Sequence, residues 1–561
     1  MSEDNDHDVL VIGSGAGGGM AAYALTKAGA KVLMLEAGRD YDPAQETPMF
    51  GENRDAPLLG AGTPDKEFGY YNATIHGGWQ IEGEPYTNAQ DSKFRWWRSR
   101  MLGGRTNHWG RNSFRMGPYD FKPKSRDGLG YDWPISYEEL APYYDRTERL
   151  IGVYGSNMGL ENHPDSGEGV LQPPPKMRIP ELYLKAAGDD IGIPVVPARR
   201  AVLTRDKNDG RSPCFWATAC GRGCSIGAAF QSTTSLLPWA KATGNLSIIT
   251  DAMVYEISLD RAGKANGVRY IDKTTGEHKF IGARVVVLAA SAGESARILL
   301  NSNGNAAEGL SNSSGQVGRN IVDTVGSGIT AKFPALENRP RYNEDGAMGL
   351  HAYIPFWLYQ EQAKGKLDFP RGYHVEIYSQ FGAPGMGMGN GLDGYGHTIR
   401  EDVRRNYGSY IHFAQRGEMI PNANCFAEID TDTKDKFGIP VLKFHYAHSK
   451  HEFDQVAHFQ QSMGALIDRM GGTVSGSIKP PEESIAAGGV IIHEVGTARM
   501  GARAADSVVN RYGQSWDVEN LFLMDGSVFS SKAHKNPTLT IMALAWRNSE
   551  YLAQLMKRGE L

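Results

Sequence analysis

The first 36 residues constrain the fold more than any other stretch. Asp8-Val9-Leu10-Val11-Ile12 is a short, mostly apolar run, Gly13-Ser14-Gly15-Ala16-Gly17-Gly18 follows at once, and an Ala-rich stretch continues to about Lys27. A short apolar run bounded by Gly reads as a buried strand, and the Ala-rich stretch reads as a helix. Gly29 ends that helix, and residues 31–35 read as a second strand that finishes at Glu36. Together these make a βαβ unit. In Gly13-x-Gly15-x-x-Gly18 the first Gly permits a tight turn, the second lets the backbone approach a pyrophosphate, and the third lets helix and strand pack closely. The helix then aims its unpaired N–H groups at the anion. Glu36 can accept hydrogen bonds from a ribose diol and would repel a 2′-phosphate, which disfavours NADP. Three spaced glycines alone are a weak signal. Their place between a strand and a helix, with an acid after the next strand, makes the motif one for a dinucleotide.

The remaining composition narrows the class. The chain has 561 residues, with Lys plus Arg 59 against Asp plus Glu 64, a formal charge of −5. That balance offers no electrostatic footprint for nucleic acid. Apolar residues at 40% supply a sizeable core and argue against disorder. Gly, at 68 residues, has no collagen period and reads as many tight turns and close backbone approaches. The acidic start, Met1-Ser2-Glu3-Asp4-Asn5-Asp6, lacks the positive region and apolar core of a signal peptide. No apolar run approaches the roughly 20 residues of a membrane span. Residues 40–92 read as an extended excursion, 137–144 and on toward Leu150 as a helix, and 245–257 with 267–270 as strands returning to a sheet. Arg284–Ala289 reads as a buried strand, about 326–453 as alternating strands with Gly-rich loops such as 385–396, and Thr538–Lys557 as a closing helix.

Glu36-Ala37-Gly38 resembles the flavoprotein form of the dinucleotide motif. Later blocks resemble those of the glucose–methanol–choline (GMC) oxidoreductases, in that family's order. These are Gly103-Gly104-Arg105-Thr106-Asn107-His108-Trp109, the run 285–293 "VVVLAASAG", and Val317-Gly318-Arg319-Asn320. Two more are 493–501 "HEVGTARMG" and 520–527 "NLFLMDGS", and the last is Asn536-Pro537-Thr538-Leu539-Thr540. The resemblance implies an α/β, Rossmann-like FAD-binding domain of the p-hydroxybenzoate-hydroxylase type. It also implies a second, α+β substrate domain built on an antiparallel sheet. The FAD-binding domain would comprise residues 1–40, 92–130, 225–325 and 490–561, and the substrate domain 40–92, 130–212 and 325–490. FAD would be held by Gly13, Ser14, Gly15, Ala16, Gly18, Glu36, Ala37, Gly103, Gly104, Thr106, Asn107, His108, Trp109, Val254, Ala290, Asp525, Gly526, Asn536, Pro537 and Thr538. His108 matches the position that some relatives bond covalently to the flavin.

Oxidising an alcohol removes a hydride from carbon and a proton from oxygen. By the resemblance, flavin N5 takes the hydride and His493 is the base. Imidazole suits that task, because it is neutral near pH 7 yet able to charge. Asn536 would orient the same hydroxyl. His534, two residues earlier, is the alternative second histidine.

Cys214, Cys220 and Cys224 crowd together, and Cys425 stands apart. By themselves three such residues allow buried thiols, one disulfide with a spare, zinc, or an iron–sulfur centre. Zinc usually has four ligands, and nothing local supplies a fourth. The segment 213–228 resembles the cluster segment of bacterial FAD-dependent sugar dehydrogenases, which implies a [3Fe-4S] cluster at these three residues. Within that branch the chain resembles the glucoside 3-dehydrogenases. Several expectations follow: oxidation of a ring hydroxyl at C3 of glucosides or disaccharides, a cytochrome c acceptor, and a small subunit bearing a Tat signal. Periplasmic location would come by co-export with that subunit, and the alternative is cytoplasmic. The rival activities are an O₂-using pyranose oxidase-like enzyme and a gluconate or glucose dehydrogenase acting at another carbon.

Overall fold

The computed structural model describes residues 7–47, 58, 77–216, 220, 223–302, 308–340, 350–379 and 396–561. The acidic start, most of the 48–76 excursion, the 385–395 loop and part of the cysteine segment therefore lie outside the described residues.

A five-stranded, all-parallel sheet forms the cofactor layer. Its order is Leu521–Leu523, Val285–Leu288, Val9–Ile12, Val32–Leu35, Leu246–Ile249. The three inner strands are buried along their whole length, as expected where helices cover a parallel sheet. The first helix, Ala16–Lys27, lies on this sheet and packs against the last, Thr538–Lys557. Gly29, with φ +95°, closes the first helix: its N–H bonds Thr26 O, and Ala30 N bonds Leu25 O. This is a Schellman stop, and the left-handed residue there favours Gly. The helix foreseen near Tyr137 runs over Tyr137–Ile151, with Ser136 and Glu139 as a capping box and Gly152 beyond its end.

One sequence reading changes. Residues 245–257 are not one strand. Leu246–Ile249 joins the parallel sheet, the chain turns at Asp251 with φ +54°, and Ala252–Leu259 starts a separate antiparallel meander with Ala265–Asp272 and His278–Gly282.

The second layer is a six-stranded antiparallel sheet. Its order is Thr473–Val474, Val325–Lys332, Tyr410–Gly417, Tyr373–Tyr378, Ala352–Ile354, Val196–Pro197. The register pairs Ile377 with Phe413 and Ile329 with Phe413, so these side chains share one face. That face packs on the helix Lys450–Arg469 through Phe459, Met463 and Leu466. The opposite face carries His374, Glu376 and Tyr378 beside Arg416 and Ala414. This polar face looks toward the cofactor layer, and the site lies between the two sheets.

Candidate active site

A cavity of about 430 Å³ runs from the Gly13–Gly17 turn to His493 and Asn536. Its dinucleotide end follows from backbone sterics. A Cβ on Gly13 (φ +97°) would sit 2.4 Å from Ala289 O, and one on Gly18 would sit 1.9 Å from Gly13 O. Both positions must be Gly for strand and helix to meet. A Cβ on Gly15 would meet nothing within 4 Å, and one on Gly104 would meet only Gly15 Cα at 3.8 Å. Gly15 therefore keeps the cavity open rather than the fold closed, while Gly104, with φ +51°, both leaves the cavity open and holds a left-handed turn. The first turn of the Ala16 helix has no acidic residue and no side-chain cap. Its N–H groups and positive dipole end remain for a phosphate. This arrangement fits a dinucleotide such as FAD.

Glu36 holds the turn. Its Oε2 accepts from Ser14 N at 3.1 Å and from Ser14 Oγ at 2.5 Å, and its Oε1 accepts from Gly38 N at 2.7 Å. Ser14 Oγ in turn accepts from Gly103 N at 2.8 Å. One hydroxyl thus joins the phosphate turn to the Gly103-Gly104 loop. Burial raises the Glu36 carboxyl above its ordinary range, and the Ser14 and Gly38 donors pull it back.

Most of the residues expected from sequence line this cavity: Gly13, Ser14, Gly15, Ala16, Glu36, Ala37, Gly104, Thr106, His108, Trp109, Val254, Ala290, Asp525, Gly526, His493, Asn536, Pro537 and Thr538. Gly18, Gly103 and Asn107 stand behind its wall. Asn107 donates to Leu102 O at 2.8 Å and accepts from Thr233 Oγ1 at 2.9 Å, so it shapes the loop. His108 places Nε2 3.3 Å from Ser99 Oγ. Burial, then Arg111 and Arg105, push its imidazole down to about 3.

His493 and Asn536 come together. Asn536 Nδ2 lies 3.3 Å from His493 Nε2 and 3.4 Å from Glu376 Oε1. An amide N–H donates, so Nε2 is the acceptor nitrogen, and Nδ1 carries the hydrogen that Thr324 Oγ1 accepts at 3.0 Å. Burial, then the Lys532 and Arg416 charges, hold this imidazole well below its ordinary value. It is neutral at pH 7, with its lone pair at the cavity. His534 does not line the cavity. Its Nε2 sits 2.8 Å from both Tyr359 OH and Lys535 Nζ.

Sequence reading missed the platform beneath the pair. Glu376, 1% exposed, bonds Arg416 Nη2 at 2.9 Å and Tyr378 OH at 2.8 Å, and also accepts from Asn112 Nδ2. Burial opposes its charge, yet Arg416, His374 and Tyr378 hold its carboxyl well below the ordinary range. The residues Tyr373–Tyr378 alternate polar and apolar, and all but Tyr378 are fully buried. A buried polar face on such a strand is the signal that the sequence offered.

Cys220 and Cys224 are buried and Cys214 is half-buried, all three packed with Tyr154, Val202, Ala228 and Ala229. None is in a disulfide. Backbone N–H groups of Trp216 and Ala229 donate to Cys214 Sγ and Cys224 Sγ, each at 3.4 Å. Burial pushes the Cys214 thiol up to about 12 and raises that of Cys224. Three free thiols packed in one cluster are the donor chemistry of an iron–sulfur centre. Among the described residues, no three His, Cys, Asp or Glu side chains are set to hold a metal ion. Cys425 belongs to the main core and bonds Ala447 O at 3.3 Å. Among the described residues, no helix is long and apolar enough to cross a membrane.

A nucleotide cradle that ends at a neutral imidazole defines a dinucleotide-dependent oxidoreductase of alcohols. The comparisons name its family. The GMC oxidoreductase models match residues 9–325 and 421–545, so the chain belongs to the GMC oxidoreductases and is an FAD-dependent enzyme acting on CH–OH groups. It is 31% identical to 2-methyl-1,2-propanediol dehydrogenase of Mycolicibacterium austroafricanum, over 98% of this chain and 95% of that one. It is 28% identical to the fructose dehydrogenase large subunit of Gluconobacter japonicus, over 98% of each. It is 29% identical to 6′′′-hydroxyparomomycin C oxidase of Streptomyces lividus, over 98% of this chain and 92% of that one. Among solved structures, formate oxidase of Aspergillus oryzae shares the fold with a TM-score of 0.67 at 13% identity, over 100% of each chain. Pyridoxine 4-oxidase of Mesorbium loti shares it with a TM-score of 0.64 at 16% identity, over 97% of this chain and 99% of that one.

Proposed function

We propose that the chain is a dehydrogenase that oxidises a secondary ring hydroxyl, at C3, of glucosides, disaccharides or related sugars to the keto sugar. The observation that carries the reading is the His493–Asn536 pair, set 3.3 Å apart at one end of the cavity whose other end is the Gly15 cradle. When bound, FAD supplies the hydride acceptor. His493 Nε2 takes the hydroxyl proton, while Thr324 fixes the ring through Nδ1. Asn536 donates to the same hydroxyl, held in place by Glu376. The negative charge of Glu376 also favours the imidazolium that forms. The fructose dehydrogenase relative supports a sugar substrate.

Cys214, Cys220 and Cys224 are the proposed thiolate donors of a [3Fe-4S] cluster, which would supply a one-electron exit toward a cytochrome c. A small Tat-bearing subunit and periplasmic location belong to the same proposal. About three iron per purified chain supports the cluster, and iron-free protein with full cytochrome-linked activity removes it.

The test of the activity is anaerobic bleaching of the flavin against a panel of sugars, with NMR of the product to place the ketone. Bleaching by simple diols and by no sugar refutes the sugar reading. A second reading, an O₂-using oxidase, draws on the oxidase relative from Streptomyces lividus. Stoichiometric peroxide in air would favour it.

A further inference from the structure

His493 follows a strained residue. Ile492 has φ +61°, in the left-handed region, where a β-branched side chain is an outlier. Strain of this kind persists only where the surroundings impose it. The imposing group here is Asp323, 1% exposed. Its Oδ2 accepts from Ile491 N at 3.3 Å, and its Oδ1 accepts from His493 N at 2.9 Å. The two oxygens of one carboxylate therefore span the strained residue from either side. The neighbouring Thr324 holds the ring of His493 at Nδ1. Val322 and Val495 exchange backbone hydrogen bonds of 3.1 and 2.9 Å and fasten the two segments together.

We propose that Asp323 is a positioning residue for the base: its carboxylate clamps the 491–493 turn and so aims His493 Nε2 into the cavity. The inference rests on His493 being the base. Above its own pKa the carboxylate offers acceptors to both N–H groups. Once protonated, one oxygen becomes a donor facing an N–H, and the clamp loosens. The groups around it are Glu494, Arg105 (ion-paired to Glu494 at 2.6 Å), Lys532, Arg416 and Tyr446, whose hydroxyl accepts from Asp323 N at 3.3 Å. Burial first, then Glu494, raise the Asp323 carboxyl to about 6, against the opposing pull of Lys532. The clamp is therefore intact at pH 7 and is lost as the pH falls through about 6, giving kcat an acid limb there.

The experiment compares wild type with Asp323→Asn, which keeps the shape but puts a donor NH2 where one acceptor oxygen stood. Flavin absorbance and KM should stay near wild type. The kcat should fall about 10²-fold, the scale for a misplaced reacting group, and the acid limb near pH 6 should disappear. Adding Ile492→Gly to Asp323→Asn should restore part of kcat, because glycine holds a left-handed turn without a clamp. Wild-type kcat with an unchanged limb in Asp323→Asn overturns the proposal, and so does a double variant no faster than the single. Should Asp323→Asn fail to fold, Ile492→Gly alone decides: a weakened acid limb supports the clamp, and an unaltered one overturns it. His493→Ala with full turnover would instead remove the base reading itself, so the two failures are distinguishable.

Discussion

Two glycines three residues apart should respond in opposite ways to the same added methyl. Gly15 has φ −68° and ψ −156°, a conformation open to alanine, and its Cβ would meet no protein atom within 4 Å. Gly15→Ala should therefore change the stability of flavin-free protein by no more than about 0.5 kcal/mol. The methyl would stand in the cradle, however, and push a phosphate off the first-turn N–H groups. Loss of one charge-assisted hydrogen bond costs about 1.5–3 kcal/mol, or roughly 10- to 150-fold in flavin affinity. Gly18→Ala puts its Cβ 1.9 Å from Gly13 O and 2.9 Å from Gly13 C. Backbone must move, at about 1–3 kcal/mol or more, with or without flavin. Thermal unfolding of stripped and loaded protein, with a fluorescence titration of FAD, separates the two. Gly15→Ala binding FAD as tightly as wild type would refute the placement of the pyrophosphate. Gly18→Ala unfolding at the wild-type temperature would refute the packing argument.

Glu376→Gln leaves the half-buried Arg416 without its carboxylate. Stability should drop by up to about 3–5 kcal/mol, and kcat should fall because Asn536 loses a charged anchor; urea denaturation and steady-state rates report both, and wild-type values in each would refute the platform. Acid should destabilise the fold. Nine buried or partly buried histidines, at 108, 163, 351, 374, 412, 448, 458, 493 and 534, are held below their ordinary 6.5, chiefly by burial. The unfolded chain protonates them first, so their contribution is whole above about pH 6.5 and is lost below it, at up to about 1.4 kcal/mol per pH unit for each. Among the described residues, the raised carboxyls of Glu36, Asp323, Glu418 and Asp525 act the other way but are fewer. A urea midpoint at pH 5 equal to that at pH 7 would contradict this balance.

Legibility in the sequence followed locality. The Gly13–Gly18 turn and Glu36 are contiguous, and their roles follow from steric rules that hold in any chain. His493 and Asn536 were legible only through the blocks that contain them, since nothing in one sequence says that positions 43 residues apart meet at 3.3 Å. Glu376 and Arg416 escaped for a definite reason. Alternation in Tyr373–Tyr378 normally places polar residues in water, and here a second layer covers them. The pairing of that strand with Tyr410–Gly417 is long-range and carries no local mark. Asp323 was passed over because its work is done on main-chain N–H groups, which every residue has.

The sheet order has a consequence for biosynthesis. The strand at 9–12 emerges early, yet its neighbour at 285–288 emerges only halfway through synthesis and the edge strand at 521–523 near its end. The helix that packs on Ala16–Lys27 is the last to be made. A ribosome must therefore nearly finish the polypeptide before vitamin-derived cargo can settle. Until then the nascent amino-terminal half exposes greasy strands that chaperones must shelter, and a premature stop near codon 515 would be as damaging as one near the start.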